Sequence, residues 1–203
     1  PMMMGINARP QSKVGKIIEP LENYGVKTMS IGYLIKEGTA MVWRGPMVMG
    51  ALQQMMRDVN WGKLDVLVVD MPPGTGDAQL TMAQNTSMSG AVIVSTPQDI
   101  ALLDARKGIT MFEKVDVPVL GIIENMSSFA CPECGHESHI FGHGGAKACA
   151  EELGATFLGE IPLDIEIRKT SDAGQPITAT SPDGVHAKRF KDIAKQVWET
   201  VEK

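Results

Sequence analysis

No apolar run in these 203 residues approaches the roughly 18 that a membrane-spanning helix needs, so the sequence holds no candidate span. Positive charge is not in excess: 19 basic side chains stand against 24 acidic ones, a net charge of −5 at pH 7. That balance argues against non-specific nucleic-acid binding, which rests on lysine and arginine meeting phosphates. Cysteine is scarce. Three are too few for a disulfide framework, and two of them stand in a Cys-x-x-Cys spacing that reads as metal or redox chemistry. The first residues, Pro1 to Ile6, are too short and lack the charged start of a secretion signal. Internal repeats and low-complexity segments are also missing. What is left is a chain of ordinary globular composition, 43% hydrophobic and 21% charged. Its length suits one domain, or one domain with a small insertion. Its 14 methionines read as flexible core filler.

Apolar runs alternate with helical patterns along the chain. Strands are expected at 26–34, 64–69, 91–95, 117–123 and 155–158. Helices are expected at 46–59, 77–84, 97–114, 145–153 and 183–203. Pro46 suits the first turn of its helix, and Val48, Leu52, Met55, Met56 and Val59 form an apolar stripe along it. Asp77 is placed as a helix cap. In the last helix, Phe190, Ile193, Ala194, Val197 and Trp198 share a face expected to meet the core rather than a membrane. Residues 127–143 break the rhythm and read as an insertion. Strand–helix alternation of this kind implies an α/β fold, a doubly wound and mostly parallel sheet with helices on both faces.

Ligands of such sheets bind outside the carboxyl ends of the strands. Here each end is polar or conformationally special: Asp70; Thr96 to Asp99; Glu124 to Met126; Pro162 to Asp164. Asp70 stands out because it closes an apolar strand, Val66 to Val69, and is followed by Pro72, Pro73, Gly74, Gly76 and Asp77. In parallel-sheet nucleotide hydrolases a carboxylate at this place helps hold Mg²⁺, and the glycine turn after it senses the γ-phosphate. Such a strand works with a loop of the form Gly-x-x-x-x-Gly-Lys-Ser/Thr. That loop is not found in the sequence. The nearest candidate, Gly15-Lys16, has Pro10 where the first glycine belongs and Ile17 where the hydroxyl belongs.

Cys131-Pro132-Glu133-Cys134-Gly135 spells a metal knuckle, with a glycine that permits the tight turn. Two thiolates do not complete a tetrahedral thiolate site. Three completions follow from the residues. A second copy of the chain would give four thiolates around a bridging iron–sulfur cluster. Zinc could be held with histidines drawn from His136, His139 and His143, of which His136 and His139 are the better candidates. Or the pair could be a dithiol–disulfide couple, although Gly135 and the polar run after it disfavour the helix that such a couple uses. Cys149 sits in a helical pattern and reads as a small buried residue.

Taken together, Asp-Met-Pro-Pro-Gly-Thr-Gly-Asp (70–77), Ser-Thr-Pro-Gln-Asp (95–99), Glu-Asn-Met-Ser (124–127) and Cys-Pro-x-Cys (131–134) closely resemble the Mrp/ApbC family. These are P-loop iron–sulfur cluster carriers of the MinD/ParA-like ATPase superfamily. The resemblance covers nearly the whole chain, including Trp43 to Met47 and Gly174 to Ile177. It implies that Asp70 supports Mg²⁺ and the attacking water, and that Pro72 to Asp77 form the switch responding to the γ-phosphate. It implies that Asn125 meets the adenine edge and that Pro162 to Asp164 flank the base. Cys131 and Cys134 would hold a 4Fe–4S cluster between the subunits of a homodimer that hands the cluster to apo-proteins. The expected place is the cytoplasm, or the mitochondrial matrix in a eukaryote. Two other readings remain open: a zinc-stabilised MinD-like regulatory ATPase without a cluster, and a relative that only dimerises.

The departure from the resemblance is the absent phosphate loop. Residues 1–203 are expected to form one P-loop NTPase-like domain lacking its amino-terminal strand and loop, a piece of a longer protein, with 127–143 as its metal- or cluster-binding insertion. Backbone donors and lysines of that loop provide most phosphate binding. This chain alone is therefore expected to bind ATP weakly or not at all. Titration of the purified chain with a labelled ATP analogue checks this, and micromolar affinity would contradict it.

Overall fold

A computed structural model describes residues 1–14, 17–35, 45–71 and 77–202. After a 3-10 turn at Met2–Met4 come two antiparallel pairs: β1 (Ser12–Val14) with β2 (Ile17–Ile18), and β3 (Leu21–Asn23) with β4 (Val26–Thr28). Helices α1 (Ile31–Leu34), α2 (Gly45–Arg57) and α3 (Asp77–Asn85) follow. Then strand and helix alternate: β5 (Ala91–Ser95), α4 (Asp99–Lys114), β6 (Val119–Asn125), α5 (Gly145–Leu153) and β9 (Phe157–Ile161). A short antiparallel hairpin, β7 (Phe129–Ala130) with β8 (Glu137–Ser138), lies between β6 and α5. The chain continues through α6 (Ile165–Asp172), α7 (Ile177–Thr180) and α8 (Val185–Val201).

Strands β5, β6 and β9 form a parallel sheet in that order. Successive side chains of a strand point to opposite faces, and β6 shows it. Ile122, fully buried, joins Ile93, Leu102, Ile109, Phe112 and Cys149 in a core between the sheet and the pair α4 and α5. Its neighbour Ile123 packs on the other face, against the cluster of Leu158, Ile161 and Ile193 beneath α8. Burying an isoleucine of this kind stabilises by roughly 1.5–3 kcal/mol, so β6, clad on both sides, is the most firmly held strand. The expected doubly wound α/β arrangement is what the structure has. Edge strand β5 differs: Ala91, Ile93 and Ser95 are buried, while Val92 and Val94 on the opposite face are exposed.

Three expectations are corrected. Residues 26–34 are not one strand: β4 stops at Thr28, and the Ser30 side chain accepts a hydrogen bond from the Gly32 backbone N–H, capping α1. A serine with its hydroxyl turned to the backbone starts helices, which overrode the apolar pattern. Residues 64–69 form no strand. Val66 is 51% and Val68 85% exposed, and no ladder among the described residues pairs with this segment. An apolar run gains strand structure from a partner ladder and two covered faces, and this one has neither. In α8 the core-facing stripe runs through Ala187, Phe190, Ile193 and Val197, while Ala194 and Trp198 are exposed. The other expected elements are present, with ends shifted by a few residues in some cases. Helix α2 buries Leu52 of the expected stripe, whereas Val59, also buried, lies beyond the end of the helix and bridges to Ile18.

Gly121 in β6 takes φ 153°, and a Cβ there would stand 2.6 Å from Leu158 Cγ and from the Thr156 carbonyl oxygen. Both the conformation and the close backbone approach exclude a side chain. Gly121→Ala is expected to destabilise the chain by about 2 kcal/mol, read as a lower urea midpoint with an unchanged slope. An unchanged midpoint would contradict the packing described for β6 and β9.

Candidate functional site

The carboxyl ends of β6 and β9 meet the hairpin and the loop before α6 at one rim. Asn125, the last residue of β6, pairs in register with Ile161. Its Oδ1 accepts a hydrogen bond from the Met126 N–H at 3.0 Å, and Met126 takes φ 57°. This sharp turn lifts the chain off the sheet. Buried Ser127 then donates its N–H to the Ile161 carbonyl at 3.1 Å, and Leu163 donates its N–H to the Ser128 carbonyl at 2.8 Å. These two backbone bonds clamp the segment leaving β6 to the loop leaving β9. Asn125 and the loop holding Pro162 and Asp164 thus stand at the same rim. Asp164 has a structural duty as well. Its Oδ1 accepts from the N–H groups of Glu166 and Ile167 as the cap of α6, and its Oδ2 lies 3.4 Å from His186 Nε2.

Hairpin β7–β8 grows out of this clamp. Its register, Phe129 with Ser138 and Ala130 with Glu137, continues through a bond from the Cys131 N–H to the His136 carbonyl at 2.9 Å. The tip is closed by the Gly135 N–H donating to the Cys131 carbonyl at 2.8 Å, with Gly135 at φ 72°. Cys131 and Cys134 therefore sit together on a tight turn, half-buried and exposed respectively. The backbone N–H of Cys134, then that of Glu133, then the Cys134 thiol hydrogen-bond the Cys131 sulfur and hold its pKa below the usual thiol range, against a smaller opposing effect of burial. No helix begins at the pair. His139 uses Nδ1 on the Ser127 carbonyl at 3.1 Å, so that nitrogen carries the proton, and its ring rests 4.2 Å from that of His143. Among the described residues no histidine or carboxylate converges with both cysteines.

Asp70 is exposed and makes no hydrogen bond or ion pair among the described residues. The backbone of Asp77 opens α3. Pro72, Pro73, Gly74 and Gly76 lie outside the described residues. One residue of this rim was not singled out from the sequence. Glu124 is fully buried, and its Oε1 and Oε2 accept the N–H groups of Gly144 and Ala146 at 3.0 and 2.8 Å. The signal was available: a carboxylate inside an otherwise apolar strand needs partners, and the glycine-rich start of α5 offers exposed donors.

A depressed pKa means more thiolate at any given pH, and the thiolate is the species that alkylates. The pH profile of Cys131 alkylation, followed by mass spectrometry in metal-free protein, is expected to lie at lower pH in the native than in the urea-unfolded chain. Coincident profiles would contradict the hydrogen bonding assigned to its sulfur.

A family model described as ParA, NUBPL iron-transfer P-loop NTPase, matches residues 1–198. The iron-sulfur cluster transfer protein NUBPL of Dictyostelium discoideum is 51% identical over 204 residues, covering 100% of this chain and 63% of that protein. The chain thus spans less than two thirds of that relative's length. A solved nucleotide-binding protein from Archaeoglobus fulgidus, in complex with ADP, is 36% identical with a TM-score of 0.69, over 90% of this chain and 68% of that one. The cell division ATPase MinD of Pyrococcus furiosus superposes with a TM-score of 0.53 at 21% identity, over 77% of this chain and 59% of that one, a likeness of fold alone. With nearly its whole length matched by the family model, the chain belongs to the ParA family of P-loop NTPases, among the iron-transfer proteins typified by NUBPL.

Proposed function

We propose that this chain is part of an iron–sulfur cluster carrier. Cys131 and Cys134 of two copies together hold one 4Fe–4S cluster, which is passed as cargo to apo-proteins. The observation that carries this reading is the hairpin tip. It presents two thiols on one turn, with the Cys131 sulfur already biased toward thiolate. Among the described residues it has no further ligand from its own chain. Two thiolates are half of a four-thiolate set, and a two-fold axis supplies the other half. The cluster-transfer name of the close relative supports this over a zinc-stabilised regulatory ATPase.

ATP binding and slow hydrolysis belong in this proposal to the complete protein. Asn125 and the Pro162 to Asp164 loop would receive the base, Asp70 would hold Mg²⁺ and the attacking water, and Pro72 to Asp77 would answer to the γ-phosphate. The family match and the ADP complex of the 36%-identical neighbour support nucleotide binding. In this reading 1–203 is one NTPase-like domain with 127–143 inserted, working in the cytoplasm or the mitochondrial matrix. The clamp of Ser127 and Ser128 on Ile161 and Leu163 would transmit changes at the base loop to the thiols, because the two share backbone hydrogen bonds.

Anaerobic reconstitution with iron and sulfide tests the assignment of the thiols. The charge-transfer absorbance of a 4Fe–4S centre is expected in the unmodified chain and is expected to disappear in Cys131→Ala and in Cys134→Ala. A centre of equal intensity in either variant would overturn it, whereas Cys149→Ala is expected to leave it intact.

A further inference from the structure

Glu124, His143 and Glu160 come from three separate elements, the end of β6, the turn before α5 and the end of β9, yet one ligand atom from each lies within 4.8 Å of the others. None of the three hydrogen-bonds or ion-pairs with another among the described residues. Glu124 spends one lone pair of each carboxylate oxygen on the N–H groups of Gly144 and Ala146, and each oxygen keeps a second. Glu160 Oε1 stands 3.7 Å from Arg189 Nη1, a partly exposed pair. Among the described residues the His143 ring stacks at a tilt against that of His139. Two carboxylates, one of them fully buried, therefore face each other and an imidazole, and the Arg189 guanidinium meets Glu160 alone.

We propose that these three side chains form a binding site for one divalent transition-metal ion, separate from the Cys131 and Cys134 pair. The donor set decides the class. An imidazole nitrogen selects a first-row transition ion over Mg²⁺ or Ca²⁺, whose ligands are oxygens. Two carboxylates neutralise a 2+ charge, and the absence of sulfur sets the site apart from the thiolate pair. Bonds of about 2.0–2.2 Å in a tetrahedral site bring ligand atoms to roughly 3.4 Å from one another, so atoms that lie within 4.8 Å of one another need to close by about 1.5 Å at most. His143 is exposed and Glu160 half-buried, so both have room to make that movement, while Glu124 is fixed by its backbone bonds. Three protein ligands leave coordination positions open on the solvent side, where His143 provides the way in.

The test uses the full chain carrying Cys131→Ala and Cys134→Ala, without nucleotide, titrated anaerobically with Co²⁺ and followed by calorimetry and visible absorbance. One equivalent is expected, with ligand-field bands and no thiolate charge transfer. Adding His143→Ala or Glu160→Gln is expected to weaken binding by about tenfold or more in each case, with circular dichroism unchanged. Glu124 is left intact because it caps α5. Absence of a bound equivalent in the cysteine-free chain overturns the site, and so does affinity that survives either added substitution. The readout does not depend on cluster assembly, so failure of the cluster reading leaves it standing, and the reverse holds too.

Discussion

At the start of α5 two backbone N–H groups point at a carboxylate that no water reaches, and much of the rim depends on that contact. Glu124 has no exposed surface, so its charge is tolerable only because Gly144 and Ala146 donate to it. Hydrogen bonds to a charged group contribute about 1.5–3 kcal/mol each, and the positive end of a helix adds to them. The consequence is geometric. Glu124 is in the central strand, held between two apolar layers, so it fixes where the chain must return after leaving the sheet. Residues 125–144 become a closed excursion with both ends tied to β6.

Within that excursion the clamp decides what the hairpin can feel. Ser127 and Ser128 are bound to Ile161 and Leu163, the residues that carry the chain from β9 toward Pro162 and Asp164. A shift of the β9 loop therefore pulls on the base of the hairpin whose tip holds Cys131 and Cys134. In the proposed carrier a nucleotide and a cluster would influence each other by this route, over a path of backbone hydrogen bonds rather than flexible side chains. Asp164 is drawn into the same arrangement by capping α6. Residues expected to serve a ligand also hold the rim in shape.

Sequence legibility followed burial. Strand 91–95 and helix 145–153 lie where periodicity places them, because the first is a short β-rich run buried on one face and the second is bounded by Gly144 and Gly154 in left-handed conformations. The run at 64–69 reads as a buried strand by the same logic and is not one, since pattern alone cannot supply a pairing partner. At 26–34 a serine cap outweighed apolar character. At the rim, the placement of Asn125, Pro162 and Asp164 at strand ends and of the cysteine pair on a tight turn follows from motifs local in sequence. The proximity of Glu124, His143 and Glu160 was not legible, because their spacings of 19 and 17 residues carry no local pattern, and Glu124 meets Glu160 only through the parallel pairing of β6 with β9.

The central claim is that the thiols of one chain are half of a shared site. Native mass spectrometry of the anaerobically reconstituted chain tests it most directly. The account predicts two chains carrying one 4Fe–4S cluster, and dissociation to single chains when the cluster is removed. A single chain retaining a whole cluster, or a single chain carrying one zinc ion on the cysteine pair, would contradict it.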